Sequence, residues 1–363
     1  DEWEFLVPYE SHLATALQWA ERNAITGYGP PVWRSGLVIE EGEPESWATA
    51  EVYAFLQLYV SYLTWRIETV VLKEFRSQGG QPPDPQAFDG LYQPEVYLPD
   101  EEPVLLTDLL RERLLDGLRA PGHRPVYSLV HHPDRRRQPR SGILFGPPGT
   151  GKTTYVKKVA AYLGWPLVIL DPSDFASEGL PLIATVAGEV FAKLLELEDA
   201  VIFFDEMESL MQRRDGNGAN GGSSFEQQFL TTTFIPKLQE LADRSACLFF
   251  VATNHYESID PAARRPGRFD FRLQVLPPAY EEKLRMARKA LGDDYPRVET
   301  ELTRQSNRRN IALATRSEMM RLVQDLQRAP ERVEELLNSF RAELGDDERV
   351  DHEARYNSFE HRS

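Results

Sequence analysis

The sequence predicts an α/β protein, a parallel sheet with helices on both faces, behind an all-α N-terminal region. Three features predict it. A glycine-rich loop lies between the apolar run 142–145 and a helix-spaced run, 154–163. Two later apolar runs, 201–204 and 246–252, read as buried strands ending in polar side chains. The first 76 residues carry helical spacing instead.

Residues 11–22 have Ser11 as a candidate N-cap and apolar side chains at Leu13, Ala16, Leu17 and Ala20, the pattern of a short amphipathic helix. Gly27-Tyr28-Gly29-Pro30-Pro31 breaks it. An acidic loop, 40–45, then leads to Ser46, expected to cap a helix running to about Arg76. Thirty residues of helix span roughly 45 Å. Trp47, Tyr53, Phe55, Leu56, Tyr59, Tyr62, Leu63, Trp65, Ile67 and Val70 nearly encircle it, while Glu51, Arg66 and Glu68 argue against a lipid span. The pattern suits a helix buried in a small helical domain or a docking surface for a partner. Residues 77–103, rich in Gly, Pro, Gln and Asp, read as a linker. Thr107 is expected to cap a helix over Asp108–Leu118, and Arg135-Arg136-Arg137 a solvated loop rather than a phosphate contact.

The loop Gly146-Pro147-Pro148-Gly149-Thr150-Gly151-Lys152-Thr153 reads as a P-loop at a strand-to-helix turn. Its glycines let the backbone curl until several N–H groups face an anion, and the following helix N-terminus, opening at Thr154, adds about half a positive charge. Lys152 is placed to reach β- and γ-phosphates and Thr153 to hold Mg²⁺. After a strand at 165–171 and a helix at 182–197, Val201-Ile202-Phe203-Phe204 ends in Asp205 and Glu206, a metal-binding carboxylate and a general base at the edge where open α/β sheets bind ligands. Residues 215–224 are expected to be a mobile loop and 225–241 a helix. The strand at 247–253 ends in Asn254, whose amide can orient a water.

With Arg264-Arg265-Pro266-Gly267-Arg268-Phe269-Asp270 following in order, residues 141–278 resemble the AAA clade of AAA+ ATPases. The resemblance implies ATP and Mg²⁺ as ligands and a P-loop NTPase core over 104–278. Gly146–Thr154 would bind nucleotide, Asp205 and Thr153 metal, and Glu206 and Asn254 would be catalytic. Arg265 and Arg268 would be fingers completing a neighbour's site, which implies a ring, six-membered in the family. Residues 279–345 become a helical lid and 346–363 a fraying tail. In the lid, Thr315-Arg316-Ser317-Glu318 is a capping box. Arg316 resembles a sensor-2 arginine, where this clade carries a Gly-Ala pair. Family unfoldases carry an aromatic pore loop after the second strand. Here Gly179 stands in the aromatic's place, leaving Leu180 or Phe175 to touch a substrate.

Charge narrows the partners. The net charge is −16, and residues 1–103 hold 18 acidic against 5 basic side chains, which leaves −3 for the other 260 residues. That balance argues against a general nucleic-acid binder, with only pore-facing loops such as Gln212-Arg213-Arg214 expected to offer basic groups. One cysteine, Cys247, in a buried strand, excludes a disulfide framework and fits a reducing cytoplasm. No apolar run approaches a membrane span, and a first residue of Asp1 suggests a trimmed or processed product with sequence upstream. The expected function is ATP hydrolysis that remodels or switches a protein partner chosen by the N-terminal region. The rivals are an ATP-gated scaffold and a nucleic-acid motor or loader.

Overall fold

The structure, a computed structural model, describes residues 3–27, 29–35, 44–89, 91, 95–96, 104–118, 139–207, 230–244, 247–254, 256, 268–340 and 358–359. The chain packs as two compact units that divide between Val71 and Leu72, not at the expected boundary near residue 103.

The first unit holds α1 (Glu10–Arg22) and most of α2 (Ser46–Leu72). Tyr9, not Ser11, takes the N-cap position of α1. Glu10 in the first turn accepts from the Tyr62 hydroxyl at 2.7 Å and from Arg66 Nε at 2.9 Å. The Tyr62 bond, then Arg66, holds the Glu10 carboxyl below its ordinary range; burial and Glu10 push the Tyr62 hydroxyl up to about 12. The Trp33 indole donates to Ala20 O at 2.7 Å and its ring meets Tyr53 edge-on. Glu45 O accepts the Thr49 N–H, so the cap of α2 sits one residue before the expected Ser46. The helix buries Ala48, Tyr62, Glu68 and Val71, yet leaves Trp47, Leu58, Leu63, Ile67 and Val70 exposed. It is therefore not buried all round. It stops at Leu72, short of the expected Arg76, because residues 76–78 enter a sheet.

In the second unit the strands are β1 (Arg76–Gln78), β2 (Glu95–Val96), β3 (Val104–Leu105), β4 (Ser141–Phe145), β5 (Leu167–Leu170), β6 (Val201–Phe204), β7 (Leu248–Thr253), β8 (Phe271–Gln274) and β9 (Ser358–Phe359). The main sheet runs β1-β5-β6-β7-β4-β8-β9, parallel from β5 to β8 with antiparallel edges. The expected parallel α/β sheet is present. In the expected tail, residues 358–359 pair with β8 instead of fraying; the rest lies outside the described residues.

The stretch read as a linker is also part of this unit. Ala87, Phe88, Leu91 and Val96 are buried in one core with β4 and α5 (Lys152–Leu163). Its prolines exclude regular elements but not packing. Pro83 sits so close to Gly164, the left-handed C-cap of α5, that a Cβ there would lie 2.8 Å from its ring. Next come α3 (Leu106–Leu110), a π-helical turn (Arg111–Leu115) and α4 (Asp116–Leu118). Thr107 does not cap this segment. Leu105 holds the cap position and Thr107 is buried in the first turn, because the start is set by packing Leu106, Leu109 and Leu110 into the core.

Short α6 (Pro172–Phe175) and α7 (Ile183–Leu194) follow β5, and α8 (Ile235–Arg244) precedes β7, entered through a π-helical turn, Leu230–Phe234. The expected loop 215–224 and residues 225–229 lie outside the described residues. Five helices form the lid: α9 (Tyr280–Leu291), α10 (Tyr295–Thr303), α11 (Gln305–Leu313), α12 (Arg316–Arg328) and α13 (Val333–Ser339). They share a core of their own around Met286, Val298, Ile311, Met319 and Val323. Among the described residues no helix is long and apolar enough to cross a membrane.

One buried carboxylate ties the sheet together. Asp270 accepts from the N–H groups of Arg140 and Ser141 at 2.8 and 2.9 Å and from Ser141 Oγ at 2.7 Å. Losing it would strand three buried donors. Asp270→Ala is expected to cost about 2–4 kcal/mol in chemical denaturation; a cost near zero would mean that water serves these donors as well.

Candidate functional site

Sheet register brings the chemistry together. Phe145 pairs with Thr253 and Phe204 with Val251, so β4, β6 and β7 all end at one edge. The loop after β4, the carboxylates after β6 and the amide after β7 therefore meet there. They line a cleft of about 480 Å³ together with Arg316, Ser317 and Met320 from α12.

The loop backbone curls through left-handed conformations at Gly149 and Gly151, with φ of 75° and 96°. A Cβ at Gly149 would lie 2.8 Å from Ser317 Oγ, so the lid packs where only glycine fits. Gly151, at the N-cap of α5, has no side chain to bond the first-turn N–H groups, the arrangement in which a helix N-terminus receives an anion. Thr150 Oγ1 donates to Pro147 O at 3.0 Å and holds the curl.

Lys152 is largely buried. Its ammonium donates to Gly146 O and Pro147 O at 2.7 and 3.1 Å and to Asn254 Oδ1 at 2.7 Å, which sets the lysine beside the expected water-orienting amide. Thr153 Oγ1 donates to Asp205 Oδ2 at 2.9 Å. These two oxygens are the hydroxyl-and-carboxylate pair that holds Mg²⁺ in P-loop sites, and such a site needs few protein ligands because phosphates and waters supply the rest. Glu206 is exposed and left-handed, with φ of 52°, and its N–H donates to Asp205 Oδ1 at 3.0 Å. A left-handed glutamate is strained by order 1 kcal/mol or more, the kind of cost that recurs at functional sites.

The capping box of α12 forms as expected. Thr315 Oγ1 accepts from the Glu318 N–H, and Glu318 accepts from the Thr315 N–H at 2.6 Å. It presents Arg316 to the loop, where Nη1 donates to Thr154 Oγ1 at 2.9 Å. The expected phosphate-binding, metal-binding and lid residues thus converge. Arg268 is partly buried and does not line the cleft; Arg265 lies outside the described residues.

Sequence reasoning missed Ser317, whose N–H and hydroxyl both donate to Gly149 O at 3.2 Å. It is also silent on Met320, one helical turn after Arg316 and therefore on the same face. Both were legible in principle, since the capping box fixes the phase of α12. Phe175 corrects another expectation. It is fully buried against Phe191, Phe204 and Phe234 and cannot touch a substrate.

Residues 142–276 match the family described as "ATPase family associated with various cellular activities (AAA)". The "ATP-dependent zinc metalloprotease FtsH" of Corynebacterium glutamicum is 34% identical over 140 residues, 39% of this chain and 16% of that protein. The FtsH of Rubrobacter xylanophilus is 31% identical over 163 residues, 44% of this chain and 25% of its own. The chain thus spans between a sixth and a quarter of these relatives' length. Among solved structures, the FIGL-1 AAA domain superposes with a TM-score of 0.54 at 20% identity, over 78% of this chain and 91% of that one.

The strain at Glu206 is measurable. Glu206→Gly is expected to be as stable as the parent or up to about 1 kcal/mol more stable in thermal unfolding. A clear loss of stability would show that the left-handed turn is held without strain.

Proposed function

We propose, on the premise that residues 142–276 are a domain of the AAA ATPase family, that the protein hydrolyses ATP with Mg²⁺ as a ring, a hexamer by family likeness, and uses the cycle to remodel or switch a protein partner. One observation carries this reading: Lys152, Thr153, Asp205, Glu206 and Asn254 converge on one cleft, linked by Thr153–Asp205 and Lys152–Asn254 bonds.

The chain's own groups have distinct tasks. The N–H groups opening α5 and the Lys152 ammonium bind the triphosphate oxygens. Thr153 and Asp205 would hold Mg²⁺, which neutralises charge between the β- and γ-phosphates. Glu206 takes the proton of the attacking water, which Asn254 orients. Arg316 brings a fixed cation from the lid to the same cleft, so lid position and phosphate binding become linked. Arg265 and Arg268 act on a neighbouring subunit's cleft, in keeping with Arg268 standing away from its own. The acidic, aromatic N-terminal unit selects the partner in a cytoplasmic setting, and its charge disfavours nucleic acid.

One observation favours a second reading, ATP-gated assembly without threading. Gly179 is left-handed, with φ of 88°, and Phe175 is buried, so the loop 176–182 offers no aromatic grip.

Lys152→Ala is expected to lose binding of a fluorescent ATP analogue, while Glu206→Gln keeps it and stops turnover. Light scattering of Glu206→Gln should then show a ring with ATP·Mg²⁺ and smaller species without nucleotide. Unaltered turnover in Glu206→Gln would mean that another base acts. Mixing Arg265→Ala with Lys152→Ala subunits should recover part of the activity that each lacks alone. Complete silence at every mixing ratio would count against fingers acting between subunits.

A further inference from the structure

Residues 74–78 lie outside the segment that matches the family, yet they clamp its second strand. In β1, Arg76 stands opposite Ile169 and Gln78 opposite Leu167. From that register the Arg76 guanidinium reaches Asp171 Oδ2 at 2.6 Å and Asp174 Oδ2 at 2.9 Å. These carboxylates are the capping box of α6: Asp171 accepts from the Ser173 N–H at 2.8 Å and Asp174 from the Asp171 N–H at 2.7 Å. Two residues earlier, Glu74 pairs with Lys193 of α7 at 2.5 Å. One short segment thus holds the helices on both sides of the loop 176–182.

Both helices bear on the strand end that carries the carboxylates of the site. Leu170, immediately before Asp171, accepts the Asp205 N–H at 2.8 Å. At the far end of α6, the buried Phe175 ring stacks 6.4 Å from Phe204, the residue before Asp205. Phe191 of α7 also stacks on Phe204, at 5.7 Å. Asp171 and Asp174 are like charges brought together by one turn of backbone, and Arg76 is the cation that bridges them.

We propose that Arg76 is a positioning residue for Asp205 and Glu206, supplied by the segment that leaves α2; the inference rests on the ATPase reading above. It acts through Asp171 and Leu170 on the backbone of Asp205, and through Phe175 on Phe204. Because the ion pairs are partly exposed, the clamp is weak enough to be opened within a catalytic cycle. The N-terminal segment thereby gains a route to the catalytic carboxylates that does not pass through the nucleotide.

The test uses the whole chain with Arg76→Ala, Arg76→Lys, and Arg76→Ala combined with Asp174→Asn, which relieves the carboxylate repulsion while keeping an acceptor for the Asp171 N–H. Arg76→Ala is expected to lower kcat for ATP about three- to tenfold with KM changed less than about twofold, and to speed amide exchange at 203–207. Arg76→Lys and the double variant should each recover most of the rate. Parental kcat and parental exchange at 203–207 in Arg76→Ala would overturn the proposal, as would a lowered melting temperature with neither readout moved. Should Arg76→Ala fail to fold, Arg76→Gln, which removes the charge and keeps most of the side chain, takes its place with the same expected and overturning readouts. Absence of turnover in the parent chain would sink the ATPase reading instead, and exchange at 203–207 would still judge the clamp.

Discussion

The second unit's cleft depends on one short contact, the Thr153 hydroxyl against the Asp205 carboxylate at 2.9 Å. It joins the start of α5, the helix that follows β4, to the end of β6, although β4 and β6 are not neighbours in the sheet, since β7 lies between them. For the contact to form, β4, β6 and β7 must end level, and their register is set by fully buried strands whose every residue packs. A slip of one residue in any of them would turn its core side chains to the opposite face and carry its polar end out of reach. Asp270, bonded to Arg140 and Ser141, pins β4 at its opposite end and so fixes where the loop begins.

What the site costs is placed beside what offsets it. Glu206 adopts a backbone conformation that a glutamate resists, directly after the strand. The residues around it are held by packing: Phe203, Phe204 and Met207 are fully buried, and Phe204 packs against Phe175, Phe191, Phe234 and Phe249. Offset and edge-on ring pairs of this kind contribute about 0.5–1.5 kcal/mol each beyond their burial. A strained turn persists only where its neighbours over-determine it, and this aromatic cluster does so.

Much of this was legible in the sequence because the strongest signals are local. The glycine-rich loop, the strand ending in Asp205 and Glu206, Asn254 and the Thr315–Glu318 capping box each occupy a few consecutive residues, and all converge in the structure. The misreadings share the opposite property. Ser11, Ser46 and Thr107 are good caps by residue type, but tertiary contacts set the starts: Glu10 opens α1 bonded to Tyr62 and Arg66, Glu45 precedes α2, and α3 begins where Leu106, Leu109 and Leu110 enter the core. The Pro- and Gly-rich stretch 77–103 reads as a linker by composition, while its packing rests on Ala87, Phe88, Leu91 and Val96 among many polar neighbours. Arg76 gave no local signal at all, since its partners are 95 and 98 residues away.

The loop 176–182 weighs on how the proposed hydrolysis is used. An aromatic paddle grips an extended chain by burying some 150–250 Å² of ring. Gly179 cannot be a neutral replacement for such a ring, because at φ of 88° its backbone is in a region that L side chains rarely enter. The loop is therefore committed to a conformation that excludes an aromatic at that position. Leu182, about half exposed at its far end, can supply aliphatic contact but less area. Meanwhile the flanking helices are tied outward to Arg76 and Glu74 and inward to Phe204. A loop with little grip but connections on both sides is better built to transmit a change of state than to pull, and that weighs toward switching over threading.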